Sequence, residues 1–433
     1  MVSDTEKGLK GNKESQSLEK SFAHVAENFR GEDVDFYPIF REMRKHTPII
    51  AEDFMSKYGV PNIAGFDPDR PVYSIFRYKD VMAVLRDAKN FTSGFIAEGL
   101  GAFVDGLILT GMDGAEHKHA RELLQPVFMP KVVSGWRDSV MEPIVREELL
   151  GPILADKKAD LMSFAMHFPV RLIYSLIGFS DSSPEKVNQY AAWALDILTG
   201  PQVVPEKAIK AREAAMAASK NLYDAIIELV SEVRSANSEG DDLINRLIAA
   251  EYQGQKLDDH EIATFVRSLL PAASETTTRT FGSVMVLLME NPEVLERVRQ
   301  DRSLVMKAID EAVRLEPVAT FKVRQVAQDL ELAGMQLPKG AMVQCLVTSA
   351  NRDEQAFENS ETFDIDRKAK PNFGFGFGPH MCIGQFIAKT EIQVAVNAVL
   401  DLMPNIRFDP DQAKPEITGA QLRGPHSVPV VWD

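Results

Sequence analysis

The sequence predicts a mainly α-helical protein with small β-sheets, folded as one large domain. Three observations carry this. Strong helix formers with an apolar stripe recur at 206–235, 296–315 and 384–402. Strand-like pieces are short and lie toward the two ends of the chain. No internal repeat or low-complexity linker divides the chain after its first residues.

The elements follow in order. Residues 1–20 are polar and poor in apolar side chains, which predicts a flexible tail preceding a single domain at 21–433. This start is neither a signal peptide nor a membrane anchor. Val72–Phe76 reads as a strand, and 206–235 as a helix. Asp258-Asp259-His260-Glu261 has the form of a capping box, with Asp258 as N-cap and Glu261 as its partner. The helical pattern then runs to Met289, and Asn291-Pro292 stops it. At ~1.5 Å per residue this helix is about 45–50 Å long, enough to cross the molecule. Pro271 midway removes a backbone donor and predicts a kink. The polar cluster Ser274-Glu275-Thr276-Thr277-Thr278 follows it, an unusual content for a buried helix. After the helix at 296–315 come strands at Leu330–Leu332 and Met342–Val347, with the turn Leu337-Pro338-Lys339-Gly340 between them. The helix at 384–402 and a last strand at Val428–Val431 complete the chain.

Composition narrows the function. The 433 residues are 45% hydrophobic and 26% charged, with a formal net charge of −15. Such a charge argues against a nucleic-acid partner, which needs a basic face. No apolar run is long enough to span a bilayer, and a cytoplasmic location is expected. Cys345 and Cys382 are the two cysteines. Two thiols make no disulfide framework and cannot build a four-cysteine metal site.

The segment Phe373-Gly-Phe-Gly-Phe-Gly-Pro-His-Met-Cys-Ile-Gly384 excludes both a helix and a regular strand. A helical pattern begins after Cys382, so the thiol is expected at a helix N-terminus, with a lowered pKa. An isolated cysteine is more often buried and inert, so the pattern around this one carries the argument. Phe375-Gly376-x-Gly378-x-His380-x-Cys382-x-Gly384 resembles the haem-binding signature of the cytochrome P450 family at each marked position. Four further stretches resemble the family in its own order. His117-x-x-x-Arg121 is similar to the helix that holds haem propionates, although alone it reads as a solvated helix face. Ala272-Ala273-Ser274-Glu275-Thr276 resembles the acid–alcohol pair of the long helix, with Ala273 where members usually carry glycine. Glu311-Ala-Val-Arg314 resembles the E-x-x-R pair, which by spacing alone is a common surface salt bridge. Arg324 resembles the strand arginine on the other propionate. Asn351-Arg352-Asp353 and Leu422-Arg-Gly-Pro425 match the run into the haem loop and the final turn.

The resemblance implies the P450 fold, a triangular prism with haem between the long central helix and the cysteine-loop helix. It implies haem b, with Cys382 as axial ligand to iron and His117, Arg121, Arg324, Phe375, His380 and Gly384 around the cofactor. It implies a monooxygenase that inserts one atom of O2 into a small or medium hydrophobic substrate. Thr276 would hydrogen-bond dioxygen and Glu275 would relay protons. Glu311 and Arg314 would be structural. Phe95, Phe103, Leu198, Ala272, Val318 and Phe321 map to the substrate wall. The chain ends soon after the haem helix, so electrons are expected from a separate ferredoxin and its flavoprotein reductase, docking on a monomer through Lys118 and Lys389. The alternatives are a peroxide-driven peroxygenase, a non-catalytic haem protein and a metal-free carrier of apolar ligands. The intact Glu275-Thr276 pair argues against the first.

Overall fold

The computed structural model describes residues 18–433, apart from 65, 66, 68, 105–107, 180–182, 201–204 and 238–239. Most of the expected tail lies outside the described residues. Its last three residues do not behave as a tail: residues 18–29 are helical, and Leu18 is fully buried with Phe22 and Val25. Apolar residues at i, i+4 and i+7 give this helix a face to bury.

The long central helix is Asp259–Glu290. Asp258 Oδ1 accepts from the Glu261 N–H at 2.8 Å, and Glu261 Oε2 accepts from the Asp258 N–H at 2.8 Å, so the capping box forms. The helix runs through Pro271 without interruption and ends at Asn291. Helices Leu161–Ile177, Pro184–Thr199, Pro205–Ala236, Val305–Leu315 and Gln385–Leu402 pack against it. Their apolar faces form one large core that includes Phe168, Phe281, Val284 and Ile392.

The helix expected over 296–315 is two helices, Pro292–Gln300 and Val305–Leu315. Asp301 breaks the run: its backbone is extended, and its side chain accepts from the Ser303 N–H at 3.0 Å. A residue that can bond its own downstream backbone competes with helix continuation.

Among the described residues the largest sheet has five strands, ordered Ile49–Ile50, Val72–Ile75, Met342–Leu346, Phe321–Val326 and Phe91–Thr92. Three of the expected strands fall within a residue or two of their predicted bounds: Val72–Ile75, Met342–Leu346 and Pro429–Val431. Leu330–Leu332 forms as predicted. The strand Phe321–Val326, implied only by the resemblance of Arg324, has no periodic signal, because its alternation carries Lys322 and Arg324 on one face and so lacks an apolar signature. It pairs antiparallel with Met342–Leu346, with Lys322 opposite Cys345 and Arg324 opposite Val343.

Candidate active site around Cys382

The cysteine loop is folded by its glycines and closed on itself. Gly376 and Gly378 have φ of +78° and +71°, a region that side chains disfavour. A Cβ on Gly378 would also meet the Leu85 carbonyl at 2.4 Å. The Cys382 N–H donates to the Phe375 carbonyl at 2.8 Å, which fixes the thiol at the loop's end. The following helix is Gln385–Leu402, capped by Gly384, so Cys382 precedes its first turn. That offset corrects the expectation of a lowered thiol pKa. Burial pushes the Cys382 thiol up, and the Gly384 N–H, Lys322 and Arg121 recover only part of the shift. A helix dipole falls off within its first turn, and Cys382 lies beyond it. Even so, Cys382 keeps accessible surface while protein surrounds it, as a group lining an interior space does. Cys345 has no such surface, and burial pushes its thiol up to about 12.

The predicted basic residues converge beside this loop. His117 and Arg121 project from helix Gly114–Leu124, and Arg324 from its strand. The His117 and His380 rings lie 4.1 Å apart, centroid to centroid. Burial, then Arg324, His117 and Arg121, push the His380 imidazole down to about 3. Burial and Arg121 likewise lower His117. Asp113 is the nearby anion, 3.6 Å from His380 Nε2. Its carboxylate is already committed to the N–H groups of Ser93 and Gly94 at 2.8–3.0 Å. His117 Nε2 is buried without a hydrogen-bond partner. Cations that mutually suppress their charge, with one orphaned donor among them, fit a ligand that brings carboxylates. Among the described residues no group of three His, Cys, Asp or Glu side chains could hold a metal. A lone thiolate therefore suits a metal whose remaining ligands come with a macrocycle.

The central helix presents one stripe to the interior. Ala272 and Thr276 are exposed, and Leu269 and Ala273 are half-buried, in a helix otherwise buried along its middle. Thr276 Oγ1 donates to the Ala272 carbonyl at 2.9 Å. Glu275 faces elsewhere. It is 1% exposed, and its Oε1 accepts from Arg279 Nε at 2.5 Å. Burial raises its carboxyl pKa against the pull of Arg279, and its Oε2 has no partner. Successive helix residues point about 100° apart, so acid and alcohol cannot share one face.

Glu311 and Arg314 are not a surface pair. Arg314 Nε and Nη2 donate to the two Glu311 oxygens at 2.9 and 2.7 Å, with Arg314 2% exposed. Arg314 also donates to the carbonyls of Asn351, Ser360 and Thr362 at 2.8–3.1 Å, and Glu311 accepts from Arg367 at 2.9 Å. The pair thus holds the segment leading into the cysteine loop. A neighbouring network escaped the sequence reading. Glu316 accepts from Arg352, Arg423 and Tyr37 at 2.6–3.0 Å and ties the last turn of the chain to the same helix.

Of the expected substrate wall, Phe103 and Leu198 are half-buried and pack on the main core. A Cβ on Gly200 would lie 3.1 Å from the Phe103 ring, and Ser219 donates to the Phe103 carbonyl. Phe95 is half-buried in the turn that Asp113 anchors. Val318 is 7% exposed, and its carbonyl accepts from the Arg423 N–H at 2.8 Å. Phe321 is corrected. Strand alternation turns it away from Arg324, and it packs on the cluster of Phe36, Phe40, Phe76 and Leu346. Residues 105–107 and 201–204, which follow Phe103 and Leu198 in sequence, lie outside the described residues. Lys389, expected with Lys118 in docking, pairs with Asp310 at 2.6 Å and lies over the Phe375 ring.

Known proteins share this sequence pattern and fold. Residues 185–421 match the family model for Cytochrome P450. Pulcherriminic acid synthase of Bacillus subtilis is 30% identical over 97% of this chain and 99% of its own. Mycinamicin IV hydroxylase/epoxidase of Micromonospora griseorubida is 30% identical over 84% of this chain and 91% of its own. The structure of CYP109E1 from Bacillus megaterium in complex with testosterone superposes with a TM-score of 0.78 and 25% identity, covering 92% of this chain and all of that one. No described helix is long and apolar enough to cross a membrane. A chain that matches this family model over more than half its length, and shares sequence and fold with these proteins over most of theirs, belongs to the cytochrome P450 family of haem-carrying monooxygenases.

Proposed function

We propose that this P450 hydroxylates a small or medium hydrophobic molecule, carries haem b, and draws electrons from a ferredoxin and its flavoprotein reductase in the cytoplasm. The observation that carries the reading is Cys382 at the end of its glycine loop, beside the convergent His117, Arg121, Arg324 and His380. Cys382 would hold the iron, and the four basic residues would hold the propionates. The bound haem supplies activation of dioxygen.

The chain's own residues do the rest. Thr276 is freed toward the interior by its place on the exposed stripe, and its hydroxyl can leave the Ala272 carbonyl to donate to a ligand. Glu275, whose carboxyl pairs with Arg279 in the buried helix face, would relay protons with waters, taking up one from solvent for each it passes on. Phe95, Phe103, Leu198, Ala272 and Val318 offer an apolar wall that would exclude water and orient a hydrophobic substrate. Relatives described as a hydroxylase/epoxidase and a neighbour in complex with testosterone support a medium-sized, largely apolar substrate. Residues 21–433 would act as one catalytic domain, as a monomer.

The test is spectroscopic. The reduced protein with carbon monoxide should show a strongly red-shifted Soret band, and Cys382→Ala should remove it. A folded, haem-loaded wild type without that band would overturn the reading.

A further inference from the structure

Lys322 has no role in the family resemblance described above, yet it occupies a telling position. It lies two residues before Arg324 on strand Phe321–Val326, so both side chains leave the same face of the sheet. That face packs toward the cysteine loop through Val343, Cys345 and Phe373. The Lys322 ammonium is within electrostatic reach of both the Cys382 sulfur and Arg324. Burial and Arg324 push its pKa down, while Cys382 pushes it up. Among the described residues no hydrogen bond or ion pair engages it. Its charged neighbour Arg324 adds positive charge, and the carboxylate of the basic cluster, Asp113, is committed to the N–H groups of Ser93 and Gly94.

A lysine placed inside a protein without a counter-ion is costly, so a position like this one implies an anion that completes it. We propose that Lys322 is a carboxylate-receiving residue of the cofactor and substrate cavity, acting beside Arg324. The inference rests on the haem-thiolate reading. Two sources bring a carboxylate there: a haem propionate, which the shared face with Arg324 favours, or an acidic substrate. A three-donor ammonium at this site would accept either.

Holoprotein carrying Lys322→Gln, and holoprotein carrying Lys322→Arg, would be compared with the wild type in transfer of haem to excess apomyoglobin. If the propionate is the partner, K322Q loses haem about tenfold faster and K322R stays near wild type. After reconstitution with haem dimethyl ester, the difference between K322Q and wild type should vanish. In a second arm, a long-chain fatty acid and its methyl ester are titrated by the optical shift on binding. An unchanged haem transfer with an about tenfold weaker acid, and an unaffected ester, also supports the proposal and assigns the carboxylate to the substrate. Unchanged haem transfer together with equal effects on acid and ester overturns it. Lys322→Met keeps the packing of the stem and repeats both arms should K322Q fail to load haem. The reduced carbon monoxide spectrum of each variant reports thiolate ligation separately, so a failure of that reading is distinguishable from a failure of this one.

Discussion

At the scale of single residues, two cysteines of one chain are set apart by their surroundings. Cys345 lies in the sheet with a thiol pushed to about 12, and Cys382 lines an interior space beside Lys322 and Arg121. The alcohol and the acid of the central helix are separated in a similar way. Thr276 touches the interior stripe, whereas Glu275 is spent on Arg279. Thr276→Ala should therefore keep the red-shifted carbon monoxide band but uncouple the enzyme. The ratio of product formed to electrons consumed should fall several-fold, measured as product against reductant oxidised. An unchanged ratio would remove Thr276 from the oxygen chemistry. Neither orientation was legible beforehand, because helical spacing tells which residues diverge but not which face meets the cavity.

At the scale of elements, helix Val305–Leu315 shows how a weak sequence signal becomes a strong structural one. Glu and Arg three apart are common on surfaces and contribute little there. Here the pair is buried and joined to five backbone or side-chain partners of the segment before the cysteine loop. Arg314→Ala leaves a buried carboxylate short of its main partner. A loss of about 3–5 kcal/mol in unfolding free energy is expected, with poor haem loading. Urea denaturation and the haem-to-protein absorbance ratio would measure both. Glu361 gives a pH-dependent counterpart. Burial raises its carboxyl, but Arg352 and Arg41 pull it down further, so the net shift is downward. A folded pKa below the unfolded value contributes stability that is present above the ordinary carboxylate pKa and is lost as pH falls through the folded one. Glu361→Gln should cost less than about 1 kcal/mol at pH 7, because a third of the side chain is in water. The difference from wild type should disappear in strongly acidic buffer. Urea melts across that range would show whether it does.

At the scale of the molecule, the fold assembles remote stretches into two surfaces of one site. The haem loop and helix Gly114–Leu124 together form a concavity of about 740 Å³ lined by His117, Lys118, Arg121, Pro379 and Met381. Lys118 is exposed there, while Lys389 is engaged with Asp310. Lys118→Glu should slow reduction by an acidic ferredoxin several-fold at low salt and flatten its salt dependence. Lys389→Glu should do so far less. Stopped-flow reduction at two ionic strengths would check this, and equal effects of the two substitutions would contradict it.

The sequence by itself determined the helices with clean apolar stripes, the capping box at Asp258, the glycine-bearing loop before Cys382 and the order of its motifs. These are local properties, fixed by backbone conformation and periodicity within a few residues. Only the tertiary structure decided that Glu311 and Arg314 are buried, that Glu275 turns to Arg279, that Phe321 leaves the substrate wall and that Lys322 joins the basic cluster. Three of those depend on which faces meet across distances of tens to hundreds of residues; Glu275 and Arg279 are i, i+4 neighbours on one helix, and packing decides that their shared face is buried. A charged or mixed strand such as Phe321–Val326 carries little local signal, and its meaning comes from the neighbours that packing brings to it.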